Sequence, residues 1–179
     1  MDNEEFHTLA EGRYLRLVRR GRWEYAERTN ASCAVIIIAV TPDDKLLFVE
    51  QFRLTMNANT IEMPAGLVGD LDAHDTMETA ARRELLEETG WQADEVKVLI
   101  VGPTSSGMSN ELIAFVCARG LTRIDAGGGD ACEDIIVHEV PVSDAPRWLA
   151  QKMTEGYSMD PKLWAGLWLL DRNPDGSPA

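Results

Sequence analysis

No apolar run in this sequence of 179 residues approaches the roughly 18 residues that cross a bilayer as a helix. The opening residues, Met1-Asp2-Asn3-Glu4-Glu5, are acidic, the wrong sign for a secretory signal or a transit peptide. Cysteine is scarce. Cys33, Cys117 and Cys132 are scattered, odd in number and without metal-type spacing, which argues against a disulfide framework. Cys33 and Cys117 lie in apolar runs and read as small core hydrophobes of a reducing cytoplasm, the expected location. Positive charge is also short: 17 Lys and Arg against 30 Asp and Glu give a formal net charge of −13 at pH 7. Such a surface repels nucleic acid and anionic membranes, because binding to either is mostly neutralisation of phosphates by Lys and Arg. No internal repeat, no low-complexity linker and no twelve-residue calcium loop is present. A phosphate-bearing ligand would need something to offset the local carboxylates, and divalent cations are the obvious candidate.

What remains is an ordinary globular composition, 45% hydrophobic and 26% charged, of a length that suits one domain. Residues 14–27 alternate unevenly and suit a strand pair. The run 34–40 reads as a buried strand, and Pro42-Asp43-Asp44 turns the chain into a second strand over 46–51. Ile61-Glu62-Met63-Pro64 is a short strand closed by proline. A helix is expected from about Thr76 to Thr89, with Asp75 and Glu78 as a capping box and Gly90 as the C-terminal cap. Its Met77, Ala81 and Leu85 share one face. Strands are expected at 96–101, 112–118 and 135–140, a helix over 143–155, and another capped by Asp160 with Pro161 at its first position. The class is therefore α+β, with a mixed sheet between helices.

Arg83-Glu84-Leu85-Leu86-Glu87-Glu88-Thr89-Gly90 is the most informative stretch. On a helix Glu84, Glu87 and Glu88 stand at i, i+3 and i+4 and share a face, where like charges cost about 0.2–0.5 kcal/mol per pair. A solvated acidic face is the bland explanation. Against it, the cluster lies late in the helix, where carboxylates oppose the helix dipole. It also follows a glycine loop, Pro64-Ala65-Gly66-Leu67-Val68-Gly69, where backbone can approach a phosphate closely. A hard cation with oxygen ligands would favour this arrangement, and Mg²⁺ typically takes one or two carboxylates together with substrate phosphates.

The segment resembles the signature of the Nudix hydrolases, whose pattern is Gly, five residues, Glu, seven residues, Arg-Glu, aliphatic, any, Glu-Glu, any, Gly, aliphatic. Gly69, Asp75, Arg83, Glu84, Leu85, Glu87, Glu88, Gly90 and Trp91 fill it in order. Asp75 stands for the family's glutamate and Trp91 for an aliphatic residue. Pro64-Ala65-Gly66 is similar to the entry of one branch, so either Gly66 or Gly69 is the motif glycine. The resemblance implies an α/β/α sandwich with a mixed central sheet and a loop-helix-loop motif. It also implies Glu84, Glu87 and Glu88 as metal ligands together with Gly66, and Arg83 orienting a glutamate. More than one Mg²⁺ is expected, with replacement by Mn²⁺ left open.

Beyond the signature, Val49-Glu50-Gln51-Phe52-Arg53, Ile61-Glu62-Met63-Pro64-Ala65-Gly66, residues 102–111 and residues 133–140 resemble the ADP-ribose and nucleoside-diphosphate-sugar pyrophosphatase branch. That branch implies hydrolysis to a nucleoside monophosphate and a sugar phosphate. It also implies a homodimer to which an N-terminal region, residues 1–30, contributes beside the hydrolase domain of residues 31–179. In that setting Ala65 would meet substrate. Arg53 would grip a diphosphate or form a surface salt bridge. Trp23 and Tyr25 would stack on a base or pack in the core. Glu62 would meet a metal, a substrate hydroxyl or an arginine. For the general base, Glu133 comes first and Asp130 second, both after the freely turning Gly127-Gly128-Gly129; Glu111 is the candidate in the other loop. Two rival functions stay open: another Nudix hydrolase, of dinucleoside polyphosphates or coenzyme A, and a nucleotide-sensing module without catalysis.

Overall fold

The structure, a computed structural model, describes residues 5–129 and 134–178. Its first strands, β1 (Phe6–Glu11), β2 (Leu15–Arg20) and β3 (Trp23–Arg28), form an antiparallel sheet of their own. Gly21 closes the β2–β3 turn at φ 57°, a backbone conformation that costs glycine little. The expected pair is thus β2 with β3. β1 is a third strand outside the sequence expectation, and none of its residues is buried, so it carries no apolar alternation to read.

Next come β4 (Cys33–Ala39), β5 (Lys45–Arg53), β6 (Ala58–Glu62), β7 (Ala65–Val68) and the helix α1 (Met77–Thr89). They are followed by β8 (Trp91–Pro103), β9 (Leu112–Arg123), β10 (Ile136–Pro141), α2 (Ala145–Thr154), β11 (Ser158–Met159) and α3 (Lys162–Leu169). Two four-stranded sheets result, in the orders β7-β4-β9-β8 and β10-β5-β6-β11. β4 runs parallel to β9, and β11 to β6, while the remaining pairs are antiparallel.

β4 is apolar on both faces because it is covered on both. Val35, Ile37 and Ala39 join Ala114, Val116 and Ala118 of β9 in packing against Ala80, Ala81 and Leu85 of α1. Ile36, Ile38 and Phe115 face the other way, toward Phe48 and Ile61 of the second sheet and Leu149 and Leu163 of α2 and α3. The α+β sandwich with a mixed sheet follows from that double burial. Met77, Ala81 and Leu85 form the expected apolar face of α1, and Trp91 is buried in the same core. None of the described helices is long and apolar enough to cross a membrane.

The start of α1 corrects the expected cap. Thr76, not Asp75, is the N-cap: its hydroxyl accepts from the Thr79 backbone N–H, and the Thr79 hydroxyl accepts from the backbone N–H of Thr76. Asp75 instead accepts a hydrogen bond from Thr79 and pairs with Arg83. Gly90 ends the helix as expected, at φ 73°, with its N–H donating to the carbonyl of Leu86.

Candidate active-site cleft

β7 pairs with β4, opposite Val35 and Ile36, and this brings residues 65–67 against the last turns of α1. The fit there is close. A Cβ on Gly66 would stand 1.9 Å from the carboxyl carbon of Glu84, so only glycine leaves room for that carboxylate. The N–H of Ala65 donates to Glu88 Oε2 at 3.0 Å. Arg83 ties the assembly together: it donates to Glu84 Oε1 at 2.7 Å and to the Leu67 carbonyl at 3.0 Å. It also lies 3.3 Å from an Asp70 carboxylate oxygen and 3.5 Å from one of Asp75. The two loop glycines therefore serve different needs, Gly66 a close approach to Glu84 and Gly69 a turn at φ 89°.

These groups open into a cleft of about 410 Å³. Of the predicted residues, Arg53, Glu62, Ala65, Gly66, Glu84, Glu88 and Glu111 line it. Arg53 and Glu62 face each other as a two-pronged pair, Nε to Oε1 at 2.8 Å and Nη2 to Oε2 at 2.7 Å. Burial works to raise the Glu62 carboxyl. Hydrogen bonds from Arg53 and Thr60, with the charges of Arg53 and Lys162, outweigh it and hold the carboxyl below its usual range. Glu111 pairs with Arg28 at the end of β3.

Acid exceeds base along the walls. Glu62, Asp70, Glu84, Glu88, Glu111 and Asp160 line it with Arg28, Arg53 and Lys162, and even with Arg83, which reaches Glu84 and Asp70 from beside the cleft, six carboxylates meet four cations. Each of those cations already has a carboxylate partner, Lys162 with Asp160 at 2.5 Å. Burial, above all, pushes the Glu84 carboxyl up to about 7; Arg83 opposes the rise, while Glu87 and Asp70 add to it. Glu88 is only 4% exposed. Among the described residues no three Asp, Glu, His or Cys side chains close around one point as a ready-made cage. Partly buried carboxylates in excess, lining an open cleft, suit a hard divalent cation whose coordination is completed by waters and substrate phosphates.

Other predicted residues stand elsewhere. Glu87 lines a neighbouring hollow with Arg83, Asp125 and Gly127, so the shared face of three glutamates divides, with Glu84 and Glu88 in the cleft and Glu87 beside it. Trp23 and Tyr25 line a separate hollow with Pro103 and Leu112. Asp130 and Glu133 lie outside the described residues. The sequence missed Arg28, Asp70, Thr104 and Lys162 as cleft residues and read Asp160 only as a cap. The expected cap is displaced by one residue, because Pro161 is the N-cap and the helix begins at Lys162; Asp160 stands just before it and accepts from the Lys162 backbone N–H at 2.9 Å.

Residues 32–155 match the NUDIX domain family. A methanol dehydrogenase activator of Bacillus methanolicus is 33% identical over 120 residues, covering 66% of this chain and 63% of that protein. An ADP-ribose pyrophosphatase of Bacillus subtilis is 34% identical over 113 residues, 63% of this chain and 60% of that protein. A GDP-mannose pyrophosphatase of Escherichia coli K12 is 36% identical over 136 residues, 72% and 68% of the two chains. The first two alignments thus span less than two thirds of those relatives' length. The crystal structure of an ADP compounds hydrolase superposes with a TM-score of 0.72 over 93% of this chain and 89% of that one; at 20% identity the likeness is one of fold.

Proposed function

The chain belongs to the NUDIX family, and from that premise we propose that it hydrolyses the diphosphate bond of a nucleoside diphosphate sugar, ADP-ribose or a close analogue. Water adds across the P–O–P link, so that one phosphorus gains a hydroxyl and the other departs as a phosphate monoester. The products are a nucleoside monophosphate and a sugar phosphate. The observation that carries the reading is a pair of carboxylates in a cleft with excess negative charge, half-buried Glu84 against the bare backbone of Gly66 and buried Glu88 on the N–H of Ala65. Relatives named for ADP-ribose and GDP-mannose pyrophosphatase activity support the substrate class.

Glu84 and Glu88, with Glu87 beside them, would hold Mg²⁺, and Mn²⁺ has the same taste for oxygen donors. A bound divalent cation supplies neutralisation of the diphosphate and a water made acidic enough to serve as nucleophile. The chain's own part is placement. Arg83 holds Glu84 in orientation and fastens the β7 loop to α1. Arg28, Arg53 and Lys162 are the cations that a phosphate entering the cleft would take over from their present carboxylate partners. Glu133 is assigned first as general base and Asp130 second; Glu111, which lines the cleft, is third. Full turnover by Glu133→Gln would remove the first of these.

The same reading makes the protein a homodimer joined through its N-terminal sheet, with Trp23 and Tyr25 serving a site completed by both copies. Phe6, Leu9, Leu15, Leu17 and Trp23 of that sheet are between 42% and 54% exposed, an apolar surface of the kind a partner covers. A reducing compartment, the cytoplasm, suits Cys33 and Cys117, both free thiols.

The test is hydrolysis of ADP-ribose, ADP-glucose, GDP-mannose and a diadenosine polyphosphate, with and without Mg²⁺. The expected result is release of nucleoside monophosphate from a diphosphate sugar, abolished by chelator. Glu88→Gln should cut it by about 100-fold or more, the upper end of what even outer-shell changes at metal sites cost. Turnover of the polyphosphate alone would assign another hydrolase of the family. Tight binding without turnover of any substrate would make the chain a sensor.

A further inference from the structure

The last four carbonyls of a helix have no partner within it, and the negative end of the helix dipole lies among them. In α1 that end carries Glu84, Glu87 and Glu88, so its unpartnered carbonyls add to an already negative site. The segment after β9 meets them. The N–H of Gly128 donates to the carbonyl of Glu88 at 2.9 Å, and that of Gly129 to the carbonyl of Glu87 at 3.1 Å. Just before, the N–H groups of Ile124 and Asp125 both donate to the carbonyl of Gly90, at 2.8 and 3.2 Å. Asp125 Oδ1 accepts from the N–H of Gly127 at 2.8 Å and shapes the turn that lays the strap down.

Glycine is required along this strap. Gly127, Gly128 and Gly129 have φ of 67°, 118° and 83°, which side chains rarely tolerate. A Cβ on Gly127 would lie 2.4 Å from the Thr89 carbonyl carbon and 2.7 Å from the Glu88 carbonyl oxygen. The strap therefore rests directly on the main chain of the turn that presents Glu87 and Glu88.

We propose that residues 125–129 are a positioning element of the cation site, fixing Glu87 and Glu88 through their main-chain carbonyls and offsetting the negative end of α1. The inference rests on the function proposed above and names a device no glutamate of the site supplies for itself. In sequence the strap leads directly to Asp130 and Glu133, the candidate bases.

The test compares wild type with Gly127→Ala, Asp125→Ala and Asp125→Asn. Calorimetric titration with Mg²⁺ alone reads affinity, ADP-ribose hydrolysis reads kcat and KM, and thermal melts read the fold. Gly127→Ala should weaken Mg²⁺ binding by about tenfold, the size of outer-shell effects at metal sites, and lower kcat with KM for ADP-ribose at saturating Mg²⁺ little changed. Asp125→Ala, which removes one hydrogen bond and introduces no clash, should move the same way by a smaller factor. Asp125→Asn keeps an oxygen for the Gly127 N–H and should restore Mg²⁺ affinity relative to Asp125→Ala, although both lose the charge. Unchanged Mg²⁺ affinity in both alanine variants, whatever their melting temperatures, would overturn the proposal. Equal weakening in Asp125→Ala and Asp125→Asn would also overturn it, because charge would then be the cause. A wild type that neither binds Mg²⁺ nor hydrolyses any diphosphate sugar would instead sink the function on which it rests.

Discussion

At the scale of the residue, Arg53 and Glu62 show how a sequence can offer a correct pair under two descriptions. Each was a candidate for substrate, and each had a salt bridge as its plain alternative; the structure joins them to each other in the wall of the cleft. Because the folded carboxyl of Glu62 titrates below the ordinary value of 4.5, the pair's stabilisation is full above that pH and fades as pH falls through the lowered range. Glu62→Gln should therefore lower the melting temperature near neutral pH, by about 3 °C if the half-exposed pair contributes roughly 1 kcal/mol. The gap from wild type should narrow at pH 3.5, and a gap equal at both pH values would show that ionisation of Glu62 plays no part. Gly66 presents the opposite case. Nothing near it in sequence reveals why it lacks a side chain, since the group that needs the space, the Glu84 carboxylate, belongs to another element. Gly66→Ala should fold, at a cost of about 1–3 kcal/mol for overpacking, yet lose Mg²⁺ affinity and turnover together. Wild-type affinity in that variant would mean the carboxylate has another place to go.

At the scale of the element, α1 was the most legible part of the chain. Apolar spacing gave its buried face and Gly90 its end. Its beginning was displaced by one residue, because Asp75 and Thr76 are both competent caps and only the backbone decides; Thr76 has the extended φ and ψ of −97° and 165°. Thr76→Ala should cost about 1 kcal/mol in thermal or denaturant unfolding. A cost within error of zero would return the cap to Asp75. The division of the three glutamates between two hollows was not legible, since their spacing defines a face of the helix and the neighbours that split that face come from β7 and from the strap after β9.

At the scale of the whole molecule, the burial of β4 followed from its unbroken apolar run, whereas the sheet order and the cleft did not. Arg28 and Lys162 reach it from opposite ends of the chain, and no local pattern links them. If the exposed N-terminal sheet is a dimer surface, the protein should sediment at about twice its 19.8 kDa, and Leu17→Asp should return it to one copy while keeping a cooperative melt. A wild type that sediments as one copy at tens of micromolar would reject that role for the sheet. The parallel pairing of β4 with β9 has a further consequence, one of timing. Ala34 lies beside Ile113, so a strand made early must wait for one made much later. At roughly 5–20 residues per second, synthesis of residues 40–123 occupies about 4–17 s. From residue 89 to residue 123, about 2–7 s of that interval, the nascent chain carries the acidic helix but only the β4 half of the platform on which its apolar stripe packs. Translation speed across β8 and β9, and the holding chaperones at the ribosome exit, should therefore influence how many chains end in the native state.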